Sequence, residues 1–271
     1  MTTRRTEGKG TALVTGASTG IGFELTQVLA LNGHPLVIVA RSRERLRTLA
    51  TELERKYGIG VSVYAKDLSE PGAADELWRE LSHSGTTVDL LVNNAGVGIY
   101  GELASESTEA LQRMQTLNMV ALTTLTRLAL AGMLERKAGR ILNLASVVSY
   151  QPGGPRMTAY YATKAYVLSF SKGLARELKG TGVTVTALCP GPTSTAFEES
   201  SRAGETILYK YKLFPTAKAV AVAGYRGMMR GRRVVLPGLM TKILAFAGEL
   251  PPRTIALEVN QWLLKRRGGR Q

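Results

Sequence analysis

Six short apolar runs recur between residues 11 and 190, each separated from the next by a longer amphipathic or irregular stretch. They are "TALVT" (11–15), "PLVIVA" (35–40), "VSVYA" (61–65), "VDLLVN" (88–93), "RILNLA" (140–145) and "VTVTALC" (183–189). The runs are largely unbroken rather than alternating, the pattern of strands buried on both faces. Between them, "GFELTQVLALNG" (22–33), "RERLRTLATELERKYG" (43–58) and "AADELWRELSHSG" (73–85) carry helical patterning. This rhythm calls for a parallel sheet with helices on either side, a doubly wound α/β fold. A chain of 271 residues that is 44% hydrophobic fits one such domain.

After "CPGPTSTAF" (189–197) the rhythm changes. An irregular piece with helical potential (198–214) leads to a helix near 216–230 and a short strand "RRVVLPG" (232–238), then to helices near 239–249 and 253–266. This region is too small for a second domain and reads as an active-site cover with a closing edge strand. The expected organisation is a basic tail over 1–10, one domain over 11–266 and a basic tail over 267–271.

The first strand runs into "TGASTGIG", which admits two readings. Gly16-Ala17-Ser18-Thr19-Gly20 matches G-x-S-x-G, the turn that presents a serine nucleophile in many hydrolases. Gly16, Gly20 and Gly22 also form a glycine-rich turn whose amides could hold a phosphate at a helix N-terminus. In a hydrolase with this turn the histidine comes late in the chain, whereas His34 and His83 both come early, at expected helix ends. The binding reading is therefore preferred. At the end of the second run, "VIVARSR" places Ala40 where an acid would select NAD, and Arg41 where a guanidinium can grip the extra phosphate of NADP. Arg41 also suits a solvated helix start beside Arg43, Arg45 and Arg47.

"TAYYATKAY" puts Tyr160 and Lys164 on one face of a helix. A free tyrosine titrates near ~10, and an adjacent ammonium favours its phenolate, which suits a general acid for carbonyl reduction. Tyr161 is a competitor, but the residue four further on is the uncharged Ala165.

From residue 10 to 196 these motifs, in this order, resemble the one-domain branch of the short-chain dehydrogenases/reductases. The resemblance implies a Rossmann-like fold and NADP(H) as cofactor. It implies that Gly16, Ser18, Thr19, Gly20, Ile21 and Gly22 form the cofactor turn, with Asp67 and Leu68 near the adenine. It adds Asn93, Ala95 and Gly96 of "NNAG" as cofactor contacts, and Pro190, Gly191, Thr193 and Thr195 as residues that orient the nicotinamide. Ser146 would hold the substrate carbonyl, Tyr160 exchange the proton, Lys164 assist it and bind the ribose, and Asn118 help hold a water relay. Ser149 is a nearby alternative to Ser146. Ala145 stands where many relatives have a second serine, and Thr19 where some NADP-using relatives have a basic residue, so NADP preference rests on Arg41.

The region from 196 to 266 resembles the family's variable substrate-recognition part. Its Phe197, Ile207, Leu208, Tyr209, Tyr211, Leu213 and Phe214 suggest an apolar carbonyl substrate, an acyl chain or a cyclic ketone. Helices at 107–131 and 158–179 resemble the family's pairing surface, implying a homodimer or homotetramer. The alternative function is a cofactor-binding protein without turnover, acting as regulator or scaffold.

The net charge of +14 invites a polyanion or an anionic membrane. Much of the excess lies at the ends and in a patch of Arg226, Arg230, Arg232 and Arg233, with no zinc-finger spacing or aromatic-studded strand, so nucleic acid is not the expected partner. "GLMTKILAFAGEL" and "WLLKRR" could touch a membrane surface, although packing over the active site is the preferred use. The lone Cys189 suits a reducing compartment and forms no cysteine-rich metal site; no metal is expected. The charged start "MTTRRTEGKG" is unlike a signal peptide, and cytoplasm is the expected location.

Overall fold

The computed structural model describes residues 9–193, 214–250 and 252–265. Strands β1 (Ala12–Thr15), β2 (Leu36–Ala40), β3 (Val61–Ala65), β4 (Leu90–Asn93), β5 (Gly139–Leu144), β6 (Val183–Leu188) and β7 (Val234–Val235) form one sheet in the order 3-2-1-4-5-6-7. Every neighbouring pair is parallel, as the unbroken apolar runs require. Helices α1 (Gly20–Leu31), α2 (Arg43–Tyr57) and α7 (Ala217–Met229) share one core. On the other face, α3 (Ala73–His83), α5 (Leu122–Glu135) and α6 (Thr158–Glu177) share a second.

Alternation along a strand explains how one run serves both cores. Ala12 and Val14 of β1 enter the first, Leu13 the second, and all three are wholly buried. A fully buried valine or leucine side chain contributes about 1.5–3 kcal/mol relative to exposure. Capping chemistry sets the helix ends. Ser42 accepts from the Arg45 N–H at 3.3 Å to start α2, and Gly58, at φ +64°, ends it. Ser107 and Thr216 cap α4 (Thr108–Gln115) and α7 in the same manner.

The helix expected over 107–131 is not continuous. After α4, Thr116–Ala121 form a π turn, and α5 then runs on to Glu135. At the bulge, Asn118 Oδ1 accepts from Val97 N–H at 3.0 Å, and its Nδ2 donates to Val97 O at 2.9 Å and Thr163 Oγ1 at 3.0 Å. A buried amide committed to three hydrogen bonds holds the turn out of the regular spiral, which apolar periodicity does not register.

Two further expectations need correction. His34 lies beyond the end of α1 as a core residue, its Nδ1 2.9 Å from Gly10 O and its Nε2 3.2 Å from Tyr225 Oη; burial lowers its pKa. The strand expected over 232–238 contracts to Val234–Val235 at the edge beside β6. The last helices, α8 (Leu239–Glu249) and α9 (Arg253–Leu263), lie over the 3-10 turn Val147–Tyr150 and its flank. Gln151 Nε2 donates to Leu244 O at 2.8 Å, and Asn260 Nδ2 to Gly153 O at 2.7 Å. The segment expected over 198–214 lies outside the described residues except Phe214.

Candidate active site

With β1 between β2 and β4, the chain leaves the middle of the sheet toward opposite edges and opens a crevice beyond the strand carboxyl ends. A cleft of about 860 Å³ occupies it. Gly16, Ser18, Thr19, Gly20, Ile21, Arg41, Asp67, Leu68, Ala95, Gly96, Ser146, Tyr160, Lys164, Pro190, Gly191 and Thr193 all line this cleft. Gly22, Asn93 and Asn118 stand behind its wall, and Thr195 lies outside the described residues.

Positive φ angles at Gly16 (+65°) and Gly20 (+57°) make the turn tight. A Cβ on Gly16 would sit 2.8 Å from Asn94 Nδ2, and one on Gly22 would sit 2.1 Å from Gly16 O. Thr19 makes no side-chain cap, and the first turn of α1 holds no acid. The N–H groups opening α1 therefore present positive potential to the cleft. This crowded turn, uncapped helix end and large crevice fit a dinucleotide diphosphate. The hydrolase reading finds no base, since neither histidine lines the cleft. His83 closes α3 with its Nδ1 against Arg79 O at 2.7 Å, as its helix-end position implies.

The two asparagines at the end of β4 divide by strand parity. Asn93 faces the α5–α6 side, donating to Thr126 Oγ1 and Asn143 Oδ1, each at 3.0 Å. Its side chain does not reach the cleft, and its neighbour Asn94 does. Asn94 Nδ2 donates to Thr15 O at 3.0 Å and Gly16 O at 3.2 Å, while Thr15 Oγ1 accepts from the backbone of Asn94 and Ala95. The glycine turn is thus clamped by the end of β4. Sequence reasoning missed Asn94, although alternation from the buried run 88–93 contains the signal.

At the far end of the cleft the charge is positive. Arg41 and Arg45 both line it, and neither forms a salt bridge among the described residues. Arg45, also missed, comes one helical turn after Arg41 and belongs with it. Lys66 is already held by Glu76 at 3.0 Å and Glu80 at 2.9 Å. Asp67 accepts from Ser69 N–H at 3.0 Å and Ser69 Oγ at 2.6 Å and pairs with Arg113 at 2.7 Å. Burial alone would raise its pKa; the Ser69 bonds and the charges of Arg113 and Arg41 outweigh that and hold the carboxyl below its ordinary value.

At the near end, Lys164 is buried, and its Nζ donates to Leu144 O at 2.8 Å. That Nζ lies 5.9 Å from the centre of the Tyr160 ring. Desolvation pushes the amine down to about 8. Ser149 is committed elsewhere: its Oγ donates to Lys164 O at 2.7 Å and accepts from Ser146 N–H at 3.3 Å. Ser149 does not line the cleft, while Ser146 does, so the geometry favours Ser146 of the two. Tyr161 lines the cleft too, with its ring against Gly154. Pro190 is fixed by accepting the Val147 N–H at 2.8 Å, and Gly191 lacks the Cβ that would meet Phe214 at 2.3 Å.

Fold and cleft define an α/β protein with a dinucleotide turn at one end of its crevice and a serine, tyrosine and lysine at the other. The family model for short chain dehydrogenase matches residues 10–206. A short chain dehydrogenase of Pseudocercospora fijiensis is 38% identical over 183 residues, 67% of this chain and 59% of that protein. The very-long-chain 3-oxoacyl-CoA reductase of Anas platyrhynchos is 33% identical over 197 residues, 70% of this chain and 62% of its own length. The chain thus matches less than two thirds of the length of either relative. A short-chain dehydrogenase from Sphingobium yanoikuyae, solved in complex with NADPH, superposes with a TM-score of 0.79 at 33% identity, covering 89% of this chain and 93% of that one. The chain belongs to the short-chain dehydrogenase/reductase family and has its Rossmann-like fold.

The clamp on the glycine turn is testable. Asn94→Ala removes both side-chain bonds to the turn and is expected to weaken dinucleotide binding by about tenfold, the equivalent of one or two hydrogen bonds. Asn93→Ala should instead lower the melting temperature while the folded protein keeps its affinity. Calorimetric titration with NADPH beside thermal melts checks both, and equal affinity losses would refute the division of labour.

Proposed function

We propose that the protein is an NADPH-dependent carbonyl reductase, running in reverse as an alcohol dehydrogenase, with an apolar substrate such as an acyl chain or a cyclic ketone. The observation that carries this reading is the presence of Ser146, Tyr160 and Lys164 in the same cleft as the glycine turn. The bound nicotinamide supplies or receives the hydride. Ser146 donates its hydroxyl hydrogen to the substrate oxygen and holds the carbonyl for attack. Tyr160 gives its proton to that oxygen as negative charge develops, and takes it back in the oxidative direction. The Lys164 ammonium stabilises the phenolate left behind and holds the nicotinamide ribose. Asn118 supports the relay that resupplies the proton, from a bulge that ties Val97 to Thr163. Pro190, Gly191, Thr193 and Thr195 orient the nicotinamide ring.

NADP preference follows from Arg41, assisted by Arg45, at the end of β2 where no acid stands to repel a 2′-phosphate. An apolar substrate follows from Ile99, Met114, Val148 and Met157, which line the cleft beside the serine and tyrosine. The relative named as a very-long-chain 3-oxoacyl-CoA reductase agrees with the acyl alternative. Homo-oligomer formation through α4–α5 and α6 accounts for the exposure of Val120 and of Tyr166, which stacks on Phe170.

Two substitutions test this reading. Tyr160→Phe is expected to keep NADPH affinity and lower ketone reduction by about a hundredfold or more, the range of a lost general acid; undiminished turnover would place the acid elsewhere. Arg41→Ala is expected to weaken NADPH by about tenfold to a hundredfold, the value of charge-assisted bonds to phosphate, and to leave NADH nearly unchanged. Equal losses for the two nucleotides would remove Arg41 from phosphate recognition.

A further inference from the structure

Among the described residues, four buried side-chain atoms have no hydrogen-bond partner: Asn93 Oδ1, Thr184 Oγ1, Thr186 Oγ1 and Thr241 Oγ1. Such groups are rare in folded proteins, and each calls for a physical reason. Thr241 is wholly buried in the first turn of α8. Its Oγ1 lies 3.0 Å from where a Cβ on Gly191 would stand, and Gly191 lines the cleft. The same Cβ would collide with the Phe214 ring, so Phe214 and Thr241 press directly on the Gly191 backbone. Hydroxyls in other helices of this protein are satisfied one turn back: Thr26 Oγ1 donates to Gly22 O at 2.8 Å, and Ser171 Oγ to Val167 O at 2.6 Å. That route is closed to Thr241. The residue four before it is Pro237, which comes ahead of Gly238, the residue that enters α8 at a φ of +85°.

We propose that Thr241 is a positioning residue whose hydroxyl bonds the backbone of residues 191–193 when the nicotinamide ring is seated. The inference rests on the reading that this segment orients the ring. Thr241 does not line the cleft, so it acts through the segment and not on the cofactor itself. A hydroxyl can donate to a carbonyl or accept from an N–H, and neither Gly191 nor Thr193 gives its N–H to a backbone acceptor among the described residues. Pro190 O takes the Val147 N–H at 2.8 Å, which ties the start of the segment to the serine turn. Beyond it, Gly191 O accepts from Thr193 Oγ1 at 2.9 Å, a bond inside the segment that anchors it to nothing else. A small shift of one peptide unit toward α8 would pair the Thr241 hydroxyl and hold the segment in one arrangement. The free protein carries the penalty of an unpaired buried group, and the bound state relieves it, which favours the seated ring.

Two substitutions separate the hydroxyl from its shape. Thr241→Val keeps the volume and removes the hydroxyl, while Thr241→Ser keeps the hydroxyl and removes the methyl. Calorimetric titration compares NADPH with 2′-phospho-ADP-ribose, which lacks only the nicotinamide ring. Thr241→Val is expected to weaken NADPH about fivefold, the value of one hydrogen bond, and to leave the ring-free nucleotide unchanged. Without nucleotide this variant should melt at the parent's temperature or above, because a methyl replaces an unpaired buried hydroxyl. Thr241→Ser should keep the parent's NADPH affinity. A residue that only fills space would give the opposite order, with serine worse than valine. The proposal is overturned by parental NADPH affinity in Thr241→Val, by equal losses for the two nucleotides, by a serine variant as weak as the valine variant, or by a lower melting temperature of the nucleotide-free valine variant. A parent that binds both nucleotides equally would remove the ring-orienting reading itself, and the proposal with it.

Discussion

The cleft depends on a primary amine held out of water. Lys164 Nζ is tied to Leu144 O at the end of β5, lies 3.4 Å from where a Cβ on Gly96 would stand, and sits under the Tyr160 ring. Its backbone oxygen receives Ser149, whose hydroxyl in turn receives the Ser146 N–H. One buried residue therefore connects the end of β5, the serine turn and the tyrosine helix. No carboxylate forms a salt bridge with it among the described residues. Its neighbour Cys189 is pushed up to about 12 by burial and stays a neutral thiol, supplying no counter-charge. An ammonium in that position is costly unless an anion, such as a neighbouring phenolate, offsets its charge.

Around this amine the cleft is graded. Arginines 41 and 45 and the open N-terminus of α1 make the far end attractive to phosphate, while apolar side chains take over near Ser146 and Tyr160. The grading comes from the sheet order: β1, β2 and β4 bring the glycine turn, the arginines and the asparagine clamp to one side, and β5 and β6 deliver the serine turn and Pro190 to the other. A long molecule with an anionic end fits this layout.

The doubly wound sheet was legible because most strands are largely unbroken apolar runs and the glycine turn needs a backbone that L side chains avoid, as at Gly16. The spacing of Tyr160 and Lys164 puts them on one helix face, but their reading as chemistry, like that of Ser146, needed the family resemblance. What escaped depends on contacts distant in the chain. The π turn at Asn118 answers to Val97 and Thr163, and the choice of Asn94 over Asn93 as the clamp depends on which face β4 turns toward β1. His34 looked like a helix-end residue because its partner Tyr225 is 191 positions away. The outward apolar faces of α8 and α9 were visible as composition, but only the packed fold shows which side is covered.

The most direct test of the buried amine is the pH dependence of NADPH affinity in the free protein. Lys164 has its pKa pushed down to about 8, so the amine carries its charge below that pH and loses it above. NADPH should bind with steady affinity below that point and more weakly as pH rises through it. In Lys164→Met the affinity should be low and flat across the same range. A variant that weakens with pH in parallel with the parent would show that the titrating group lies elsewhere and contradict the account.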